Sequence, residues 1–396
     1  MRLPVAQVPS HNMKGSCSLN ATHHTFRQFQ LSSQMQAALD AAGYQVPTPV
    51  QERTIALAMK GRDIISTAQT GTGKTAAFVI PLVERLRDRI SCGQRASALI
   101  VAPTRELAEQ IHGWATHFAC GLDAAVVVGG VAFGPQVYAL RSRPSIIVAT
   151  PGRLVDHLER RTASLSDVAV LVLDEADRML EMGFKPQLDR ILRAVPASRQ
   201  TLLFSATLPP TLDRLARAHV RNPVRIEVGR VAALPSRARQ DVYLVERTRK
   251  TALLLSLITA SRDTVLVFVR TKHGTDRLAR RLRLAGHAAQ RLHADRSQSQ
   301  RREALEGFRG GRYRILVATD VAARGIDVAG IGRIINYDLP QTVEDYVHRV
   351  GRTARGGAAG HASSFAAPEE HAQLRAIERH IGFALPREGH DVRGAA

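Results

Sequence analysis

The chain has 396 residues, a length typical of two or three domains, and its 44% hydrophobic content excludes a mostly disordered protein. Three cysteines without metal-ligand or disulfide spacing exclude a disulfide framework and favour a reducing compartment. The net charge of +20 favours a polyanionic partner, most commonly nucleic acid, although an arginine-rich composition alone is the alternative. Because we find no signal peptide and no apolar run long enough to span a bilayer, we expect a cytoplasmic protein without a membrane partner. We also expect a monomer.

The first half of the chain alternates short apolar runs with longer amphipathic stretches, after a polar segment at 1–25 that we interpret as a mobile extension. The runs are rich in Val, Ile and Leu and do not alternate with polar residues, as expected for strands buried on both faces of a parallel sheet. The stretches between them, such as 82–89 and 105–118, are long enough for crossover helices. The predicted strands are residues 63–68, 98–102, 125–128, 146–150, 168–173 and 201–205.

The pattern pauses at 230–240, which contains Pro235 and which we interpret as a flexible linker. A second alternation then predicts strands at residues 241–245, 264–269, 288–293, 314–319, 332–337 and 361–366. The sequence therefore predicts two tandem α/β domains, each a doubly wound parallel sheet, at 26–229 and 241–385, with a short tail at 386–396.

A glycine-rich segment follows the first predicted strand and precedes a predicted helix, which is the context of a P-loop. Its two glycines allow successive backbone N–H groups to point toward phosphate oxygens. Lys74 would supply a positive charge to the β and γ phosphates, and the Thr75 hydroxyl would bind Mg²⁺. The segment consists of Ala68, Gln69, Thr70, Gly71, Thr72, Gly73, Lys74 and Thr75, with alanine where the general pattern begins with glycine.

An acidic turn follows the strand predicted at 168–173, and α/β sheets bind their ligands at the carboxyl ends of strands. Asp174 would hold Mg²⁺ through its water shell, because this ion loses water reluctantly. Glu175 would polarise the attacking water. A solvated acidic turn that caps the following helix is the alternative.

Residues 174–177 read Asp-Glu-Ala-Asp, and together with the P-loop and the later motifs the chain resembles a DEAD-box RNA helicase of bacterial type. The resemblance runs from Phe26 to about Arg355. It implies two RecA-like domains joined by a flexible linker, and RNA-stimulated ATP hydrolysis that separates short RNA duplexes or remodels RNA–protein complexes. An ATP-gated RNA clamp that unwinds little and a DNA-acting ATPase are the alternatives.

The resemblance assigns the base and sugar of ATP to four residues. Gln51 would form paired hydrogen bonds with the adenine edge, since an amide offers a donor beside an acceptor. Tyr44 would stack on the base and Phe26 belongs to the same segment, with ordinary core packing as the alternative for both. Asp327, from the second domain, would accept hydrogen bonds from the ribose hydroxyls.

The segment from His348 to Arg355 resembles the arginine-finger motif of the family. Arg352 and Arg355 would face the γ-phosphate, where developing charge needs a guanidinium that stays protonated. His348 and Arg349 would belong to the network between the domains. Ala354 stands where the family usually has glycine, at a cost of about 1 kcal/mol if the backbone there has a positive φ.

A third motif would couple the nucleotide to the RNA. The hydroxyls of Ser205 and Thr207, at the end of a predicted strand, would form hydrogen bonds with Asp177. The alternative is a helix N-cap, for which Ser and Thr are equally suited.

Loops that follow predicted strands contain hydroxyls, glycine N–H groups and arginines, all suited to phosphate. Such contacts do not read sequence, so we expect RNA binding to be sequence-independent and strongly salt-dependent. The physiological RNA and any targeting partners are not named by the sequence. The residues that the resemblance assigns to RNA are Pro103, Thr104, Arg105, Gly129, Gly130, Thr150, Gly152, Arg153, Gln298, Arg301, Thr319 and Arg324.

Overall fold

The computed structural model describes residues 25–68, 72–94, 97–228, 238–323, 331–354 and 360–389. The predicted N-terminal extension up to residue 24, most of the predicted linker and the last residues of the predicted tail lie outside this part of the chain. So do six of the predicted site residues, namely Gln69, Thr70, Gly71, Arg324, Asp327 and Arg355.

The first domain contains a seven-stranded sheet in the order β3-β4-β2-β5-β6-β1-β7, in which every neighbouring pair is parallel. All six residues of the central strand β5 are buried, because helices cover both faces of the sheet. The strands are β1 (Ile64–Ala68), β2 (Ser97–Val101), β3 (Ala124–Val127), β4 (Ile146–Ala149), β5 (Val168–Leu173), β6 (Gln200–Ser205) and β7 (Val224–Val228).

Nine helices cover this sheet in the described residues. The first four pack on one face around residues such as Phe78 and Phe204, and the other five pack on the opposite face around residues such as Leu171 and Leu203. The helices are α1 (Ser33–Ala41), α2 (Pro49–Met59), α3 (Lys74–Ser91), α4 (Arg105–Phe118), α5 (Phe133–Arg141), α6 (Pro151–Glu159), α7 (Ala176–Glu181), α8 (Lys185–Ala194) and α9 (Pro210–His219).

The second domain repeats the topology, with the strand order β10-β11-β9-β12-β13-β8-β14, also entirely parallel. Its strands are β8 (Ala238–Leu244), β9 (Val265–Phe268), β10 (Ala289–Leu292), β11 (Ile315–Ala318), β12 (Arg333–Asn336), β13 (Gly360–Ala366) and β14 (Arg387–Glu388). Its helices are α10 (Lys250–Thr259), α11 (Lys272–Leu284), α12 (Gln298–Arg309), α13 (Asp320–Ala323), α14 (Val343–Val350) and α15 (His371–Ile381). The predicted fold class, two tandem parallel-sheet α/β domains, is confirmed.

Equivalent helices of the two domains begin with a lysine. Lys74 begins α3, which follows β1, and Lys250 begins α10, which follows the equivalent strand β8. The Lys250 ammonium forms an ion pair of 2.8 Å with Glu370, and the two side chains are only 2% and 6% exposed. In the second domain, a carboxylate of the same domain therefore neutralises this lysine.

The structure differs from the sequence prediction at two edges. The strand β8 begins at Ala238, so residues 238–240 belong to the sheet and not to the linker, and Arg387–Glu388 of the predicted tail pairs with β8. The edge strand β7 was also missed, although its alternation of apolar and charged residues is typical of a half-buried strand. Among the described residues, no helix combines the length and apolar composition needed to cross a membrane.

Ala354, in the loop after α14, has a φ of +55°. This is the left-handed region, in which a Cβ approaches the following carbonyl oxygen and glycine is favoured. The backbone of Ala354 therefore has the positive φ at which alanine is less stable than glycine.

We predict that Ala354→Gly stabilises the second domain by about 1 kcal/mol, because glycine removes this strain. Unfolding by urea should shift to higher concentration when it is followed by circular dichroism. The single tryptophan, Trp114, lies in the first domain, so its fluorescence should report an unchanged transition there. As a control, Ala376→Gly inside α15 should destabilise the same domain by about 1 kcal/mol. Equal destabilisation by both substitutions would contradict the strain at Ala354.

Candidate nucleotide and nucleic-acid site

The described end of the glycine-rich segment lies at the carboxyl end of β1, where it begins α3. Gly73 has a φ of +91°, and a Cβ at this position would lie 2.5 Å from Nε2 of Gln51. Lys74 is 7% exposed, and its Nζ donates a hydrogen bond of 2.8 Å to the Ala68 carbonyl. Both the backbone conformation and the lack of space therefore require glycine at position 73.

Gln51 braces this segment from the start of α2. It is buried, its Oε1 accepts the N–H of Thr48 at 2.8 Å, and its Nε2 donates to the Gly73 carbonyl at 3.2 Å. The Thr48 hydroxyl donates to the Thr72 carbonyl at 2.7 Å. A primary amide has two N–H groups and two lone pairs, so one of each remains for a ligand such as the adenine edge.

Phe26 and Tyr44 lie in an aromatic cluster. Their rings meet edge to face at 5.9 Å, and Tyr44 also contacts Trp114 at 6.1 Å and Phe118 at 5.8 Å. Phe26 is only 5% exposed. The structure therefore shows the packing that was the alternative for both residues, and base stacking by Tyr44 stays a prediction.

Asp174 follows β5 directly and is 3% exposed. Burial raises the pKa of Asp174 to about 7, although the nearby Lys74 charge acts in the opposite direction. A bound cation would strongly stabilise the charged form of a carboxylate that is destabilised by burial. The donor set, the Asp174 carboxylate and the Thr75 hydroxyl, consists of hard oxygen ligands, which suits Mg²⁺ that also binds substrate phosphates. The described residues contain no cluster of three or more acidic, His or Cys side chains suited to a metal held by protein alone.

Glu175 has a strained backbone, with a φ of +49° in the left-handed region. For a residue other than glycine this conformation costs roughly 1–2 kcal/mol, and such strain is concentrated at functional sites. The side chain is half-buried and forms no capping hydrogen bond with α7, which begins at the next residue. The structure therefore does not show the helix-capping alternative for this side chain.

Asp177 connects the acidic turn to the loop after β6. One carboxylate oxygen accepts the N–H and the hydroxyl of Thr207, each at 2.8 Å, and the N–H of Ala206 at 3.2 Å. The Ser205 hydroxyl accepts the Asp177 N–H at 3.2 Å. The expected contacts are thus present, and neither hydroxyl caps α9, whose N-cap is Pro209.

His348 and Arg352 of the second domain lie at and just after the end of α14. Burial lowers the pKa of His348 to about 4, and Arg352 lowers it further; in the first domain Asp177 raises this pKa and Lys74 lowers it, both to a smaller extent. Arg352 is 5% exposed. The end of α14 therefore lies within electrostatic reach of the P-loop lysine and the acidic turn.

The side chain of Arg349, predicted to belong to the network between the domains, has its described hydrogen bonds within the second domain. Its guanidinium binds both carboxylate oxygens of Asp320, at 2.6 and 2.7 Å, and also the Asn336 side chain and the Asp338 carbonyl. All these partners belong to the second domain. Burial lowers the pKa of Arg178 in the first domain, and Asp320 raises it, so among the described residues Asp320 connects Arg349 with that domain.

The residues assigned to RNA in the first domain share one edge of the sheet, at the carboxyl ends of the neighbouring strands β2, β4 and β3. Thr104 caps α4, and Thr150 precedes α6. The Arg105 guanidinium packs so closely on Gly130, whose φ is +73°, that a Cβ there would clash with it. Arg153 donates to the Val131 carbonyl at 2.9 Å. The structure therefore brings Pro103, Thr104, Arg105, Gly129, Gly130, Thr150, Gly152 and Arg153 to one edge.

In the second domain Thr319 lies at the carboxyl end of β11, but Gln298 and Arg301 have other partners. Arg301 forms an ion pair of 2.6 Å with Glu106 at the start of α4, and the two side chains are 10% and 8% exposed. Gln298 donates to Glu109 of the same helix at 3.2 Å. Both residues therefore join the two domains, and their contact with RNA stays a prediction.

The acidic partners on α4 were missed from the sequence. Arg302 also binds Glu109 at 3.0 Å, in a more exposed pair. Glu106 and Arg301 are 195 residues apart, and no local spacing signals such a pairing. Only the assembly of the two domains brings these charges together.

Two family models match the chain. Residues 48–215 match the DEAD/DEAH box helicase model, and residues 249–357 match the helicase conserved C-terminal domain. A DEAD-box ATP-dependent RNA helicase of Bacillus subtilis, CshA, is 44% identical over 358 residues, which are 90% of this chain and 72% of the relative.

Solved structures with the same two domains differ in how well they superpose on this one. The S. cerevisiae protein Dbp5 bound to RNA and ADP BeF3 is 29% identical, with a TM-score of 0.82 over 92% of this chain and 95% of that chain. A DEAD box protein from the hyperthermophile Methanococcus jannaschii is 37% identical, with a TM-score of 0.53 over 92% of this chain and 99% of that chain.

We predict that Arg301→Ala separates the two domains, because it leaves Glu106 buried without its partner, at a cost of about 3 kcal/mol or more. The equilibrium should move toward separated domains by a factor of 100 or so. Small-angle X-ray scattering would record this as a larger radius of gyration.

The matched control is Arg302→Ala, which removes an exposed ion pair of the same helix and should change the equilibrium by less than about fivefold. If both variants scatter like the unmodified protein, the Arg301–Glu106 pair does not hold the domains together.

Proposed function

The chain belongs to the DEAD-box ATP-dependent RNA helicases, and from this premise we propose that it couples RNA-stimulated ATP hydrolysis to the local separation of short RNA duplexes. One observation carries the proposal: the end of α14 in the second domain lies close to the P-loop and the acidic turn of the first domain. Lys74 and Asp177 of the first domain both act on the pKa of His348 in the second, and Arg352 acts on it from the same segment.

In this proposal the phosphates of ATP bind the P-loop. Lys74 leaves the Ala68 carbonyl to bind the β and γ phosphates, and the helix α3 directs its positive N-terminal end toward them. Thr75 and Asp174 would hold Mg²⁺, which when bound neutralises the developing phosphate charge. Gln51 uses its remaining donor and acceptor on the adenine edge.

Hydrolysis then requires groups from both domains. Glu175 accepts the proton of the attacking water, and its strained backbone fixes the carboxylate at the edge of the site. Arg352, together with Arg355, stabilises charge on the γ-phosphoryl oxygens. His348 is neutral at pH 7 because of its lowered pKa, so it adds no further positive charge beside Arg352.

RNA is proposed to bind across the carboxyl-terminal loops of both sheets, so that the strand and ATP favour the same contact between domains. Asp177 would transmit the state of the nucleotide, since one of its carboxylate oxygens binds the loop of Ser205 to Thr207. The closer superposition on the yeast protein bound to RNA and a nucleotide mimic supports this arrangement. We further propose Mg²⁺ as the metal and the cytoplasm as the location.

The direct test is strand separation of a short RNA duplex, followed on a native gel with and without ATP. We expect separation only with ATP, and hydrolysis that RNA stimulates and DNA does not. Equal separation in both lanes would refute the helicase proposal. ATP-dependent retention of RNA for minutes without separation would favour the clamp.

We predict that Glu175→Gln keeps ATP binding but lowers kcat by at least 100-fold, because the amide cannot accept the proton of water. The variant should hold RNA longer in the presence of ATP. Phosphate release and nucleotide titration measure the two effects separately. Glu181→Gln, at the exposed end of α7, is the control and should keep kcat within about twofold. Wild-type turnover in Glu175→Gln would show that another group is the base.

We predict that Arg352→Ala lowers kcat by about 10³ or more, as expected for removal of an arginine finger, while ATP affinity falls much less. Steady-state hydrolysis with saturating RNA measures the first effect. The exposed Arg375→Ala on α15 controls for loss of charge in the same domain. A loss below tenfold in Arg352→Ala would transfer the finger role to Arg355.

A further inference from the structure

A cleft of about 750 Å³ lies at the amino-terminal edge of the first sheet, opposite the loops that form the nucleotide and RNA sites. The first residues of β2, the approach to β4 and the loop before β5 form its floor. The ends of α5 and α6 form its rim. Nothing in the proposed catalytic cycle uses this part of the domain.

The cleft is basic. It is lined by Arg141, Arg143 and Arg161. All three side chains are exposed, and among the described residues none of them forms a hydrogen bond or ion pair. Asp167 is the one carboxylate among the described lining residues, and it accepts a hydrogen bond from Ser166 at 3.3 Å. Three guanidinium groups therefore face one carboxylate, which leaves an excess of positive charge for a ligand.

Two of these arginines stand where the backbone favours glycine. Arg143 and Arg161 follow the ends of α5 and α6, and both have a φ of +53°. At such a φ an arginine is less favourable than glycine, because its Cβ approaches the following carbonyl oxygen. The domain thus carries two charges at the rim of one cleft at the expense of its own stability, a pattern that points to function.

A series of cations connects this cleft with the RNA edge. The helices α5 and α6 start at the loops of Gly130 and Thr150 and end at the cleft, and nine residues of helix span about 13 Å. Along this path the guanidinium carbons of Arg153 and Arg160 lie 5.6 and 4.7 Å from the centre of the Phe133 ring. Arg161, the residue after Arg160, lines the cleft. An RNA strand that runs from the RNA edge between these helices would pass Arg153, then Arg160, and reach Arg161 at the cleft.

We propose that Arg141, Arg143 and Arg161 form a second binding site for the phosphate backbone of RNA, occupied by the segment that extends beyond the strand held at the carboxyl edge. The inference rests on the proposed function, since it assumes that RNA binds that edge. One guanidinium group can donate two hydrogen bonds to a phosphate, and the Ser145 hydroxyl in the same cleft can donate to the same oxygens. The site would hold long RNA without reading its sequence.

The test uses Arg143→Gly/Arg161→Gly in the full chain, which removes two charges and also relieves two strained positions. Thermal unfolding should therefore occur at or above the temperature of the unmodified protein, so that weaker binding cannot result from misfolding. Affinity for an RNA of about 10 nucleotides, which fills only the main site, should stay within twofold. Affinity for an RNA several times longer should fall about tenfold, and the slope of log Kd against log salt should decrease by about 1.4, the value for two phosphates of a single strand.

The control variant Arg193→Gln/Arg214→Gln has the same net charge, since it removes two exposed arginines of α8 and α9. If it weakens binding of the long RNA as much as the cleft variant does, or if the cleft variant binds long RNA normally, the second site is refuted. The second site is also refuted if the cleft variant loses as much affinity for the short RNA as for the long one. The arginines would then attract RNA only through the overall positive charge of the domain. If the unmodified protein binds neither RNA, it is the proposed function that fails.

Discussion

The burial of opposite charges at the carboxyl end of the first sheet is the constraint on which the rest of the site depends. Asp174 and Lys74 are 3% and 7% exposed, and they come from the ends of β5 and β1, which are separated only by β6. Burial destabilises the carboxylate so strongly that its pKa rises despite the ammonium nearby. Parallel topology places both residues at one edge, because every strand of the sheet ends there. In the proposed function, bound Mg²⁺ would stabilise the buried Asp174 carboxylate, and the triphosphate would bind the Lys74 ammonium.

Charged and polar side chains form the contacts that the described residues show between the two domains. Arg301 and Gln298 of α12 bind acidic residues of α4. Asp320 binds Arg349 in its own domain and also raises the pKa of Arg178 in the first domain. Ion pairs of this kind exchange for water and salt without exposing a hydrophobic core. A reversible contact is therefore compatible with two domains that each keep a complete core of their own.

Much of the fold could be predicted because buried parallel strands leave an unbroken apolar signal, as in β5, where all six residues are buried. The edge strands β7 and β14 were missed, the first because it alternates apolar and charged residues instead of forming an unbroken apolar run, and the second because it has only two residues. In the site, the P-loop and the acidic turn were found because strand, turn and helix lie adjacent in the sequence. The partners of Arg301 and Arg349 were not, because they are distant in the chain. For Tyr44 the sequence offered both base stacking and core packing and could not decide between them. The left-handed arginines of the amino-edge cleft have no sequence signature, since helix ends of that conformation are recognised by glycine or asparagine.

The ion pair between Lys250 and Glu370 has a consequence for how the two halves of the molecule differ. Both domains share one strand order, and in both a lysine begins the helix after the equivalent strand. In the first domain that lysine rests on a neutral carbonyl, from which an incoming anion can displace it. In the second it is saturated by a buried carboxylate, and an anion would have to compete with a charge that the chain carries permanently. The two domains share one architecture but differ in this lysine. Lys74 can exchange its carbonyl partner for an anion, whereas Lys250 is held in an ion pair within its own domain.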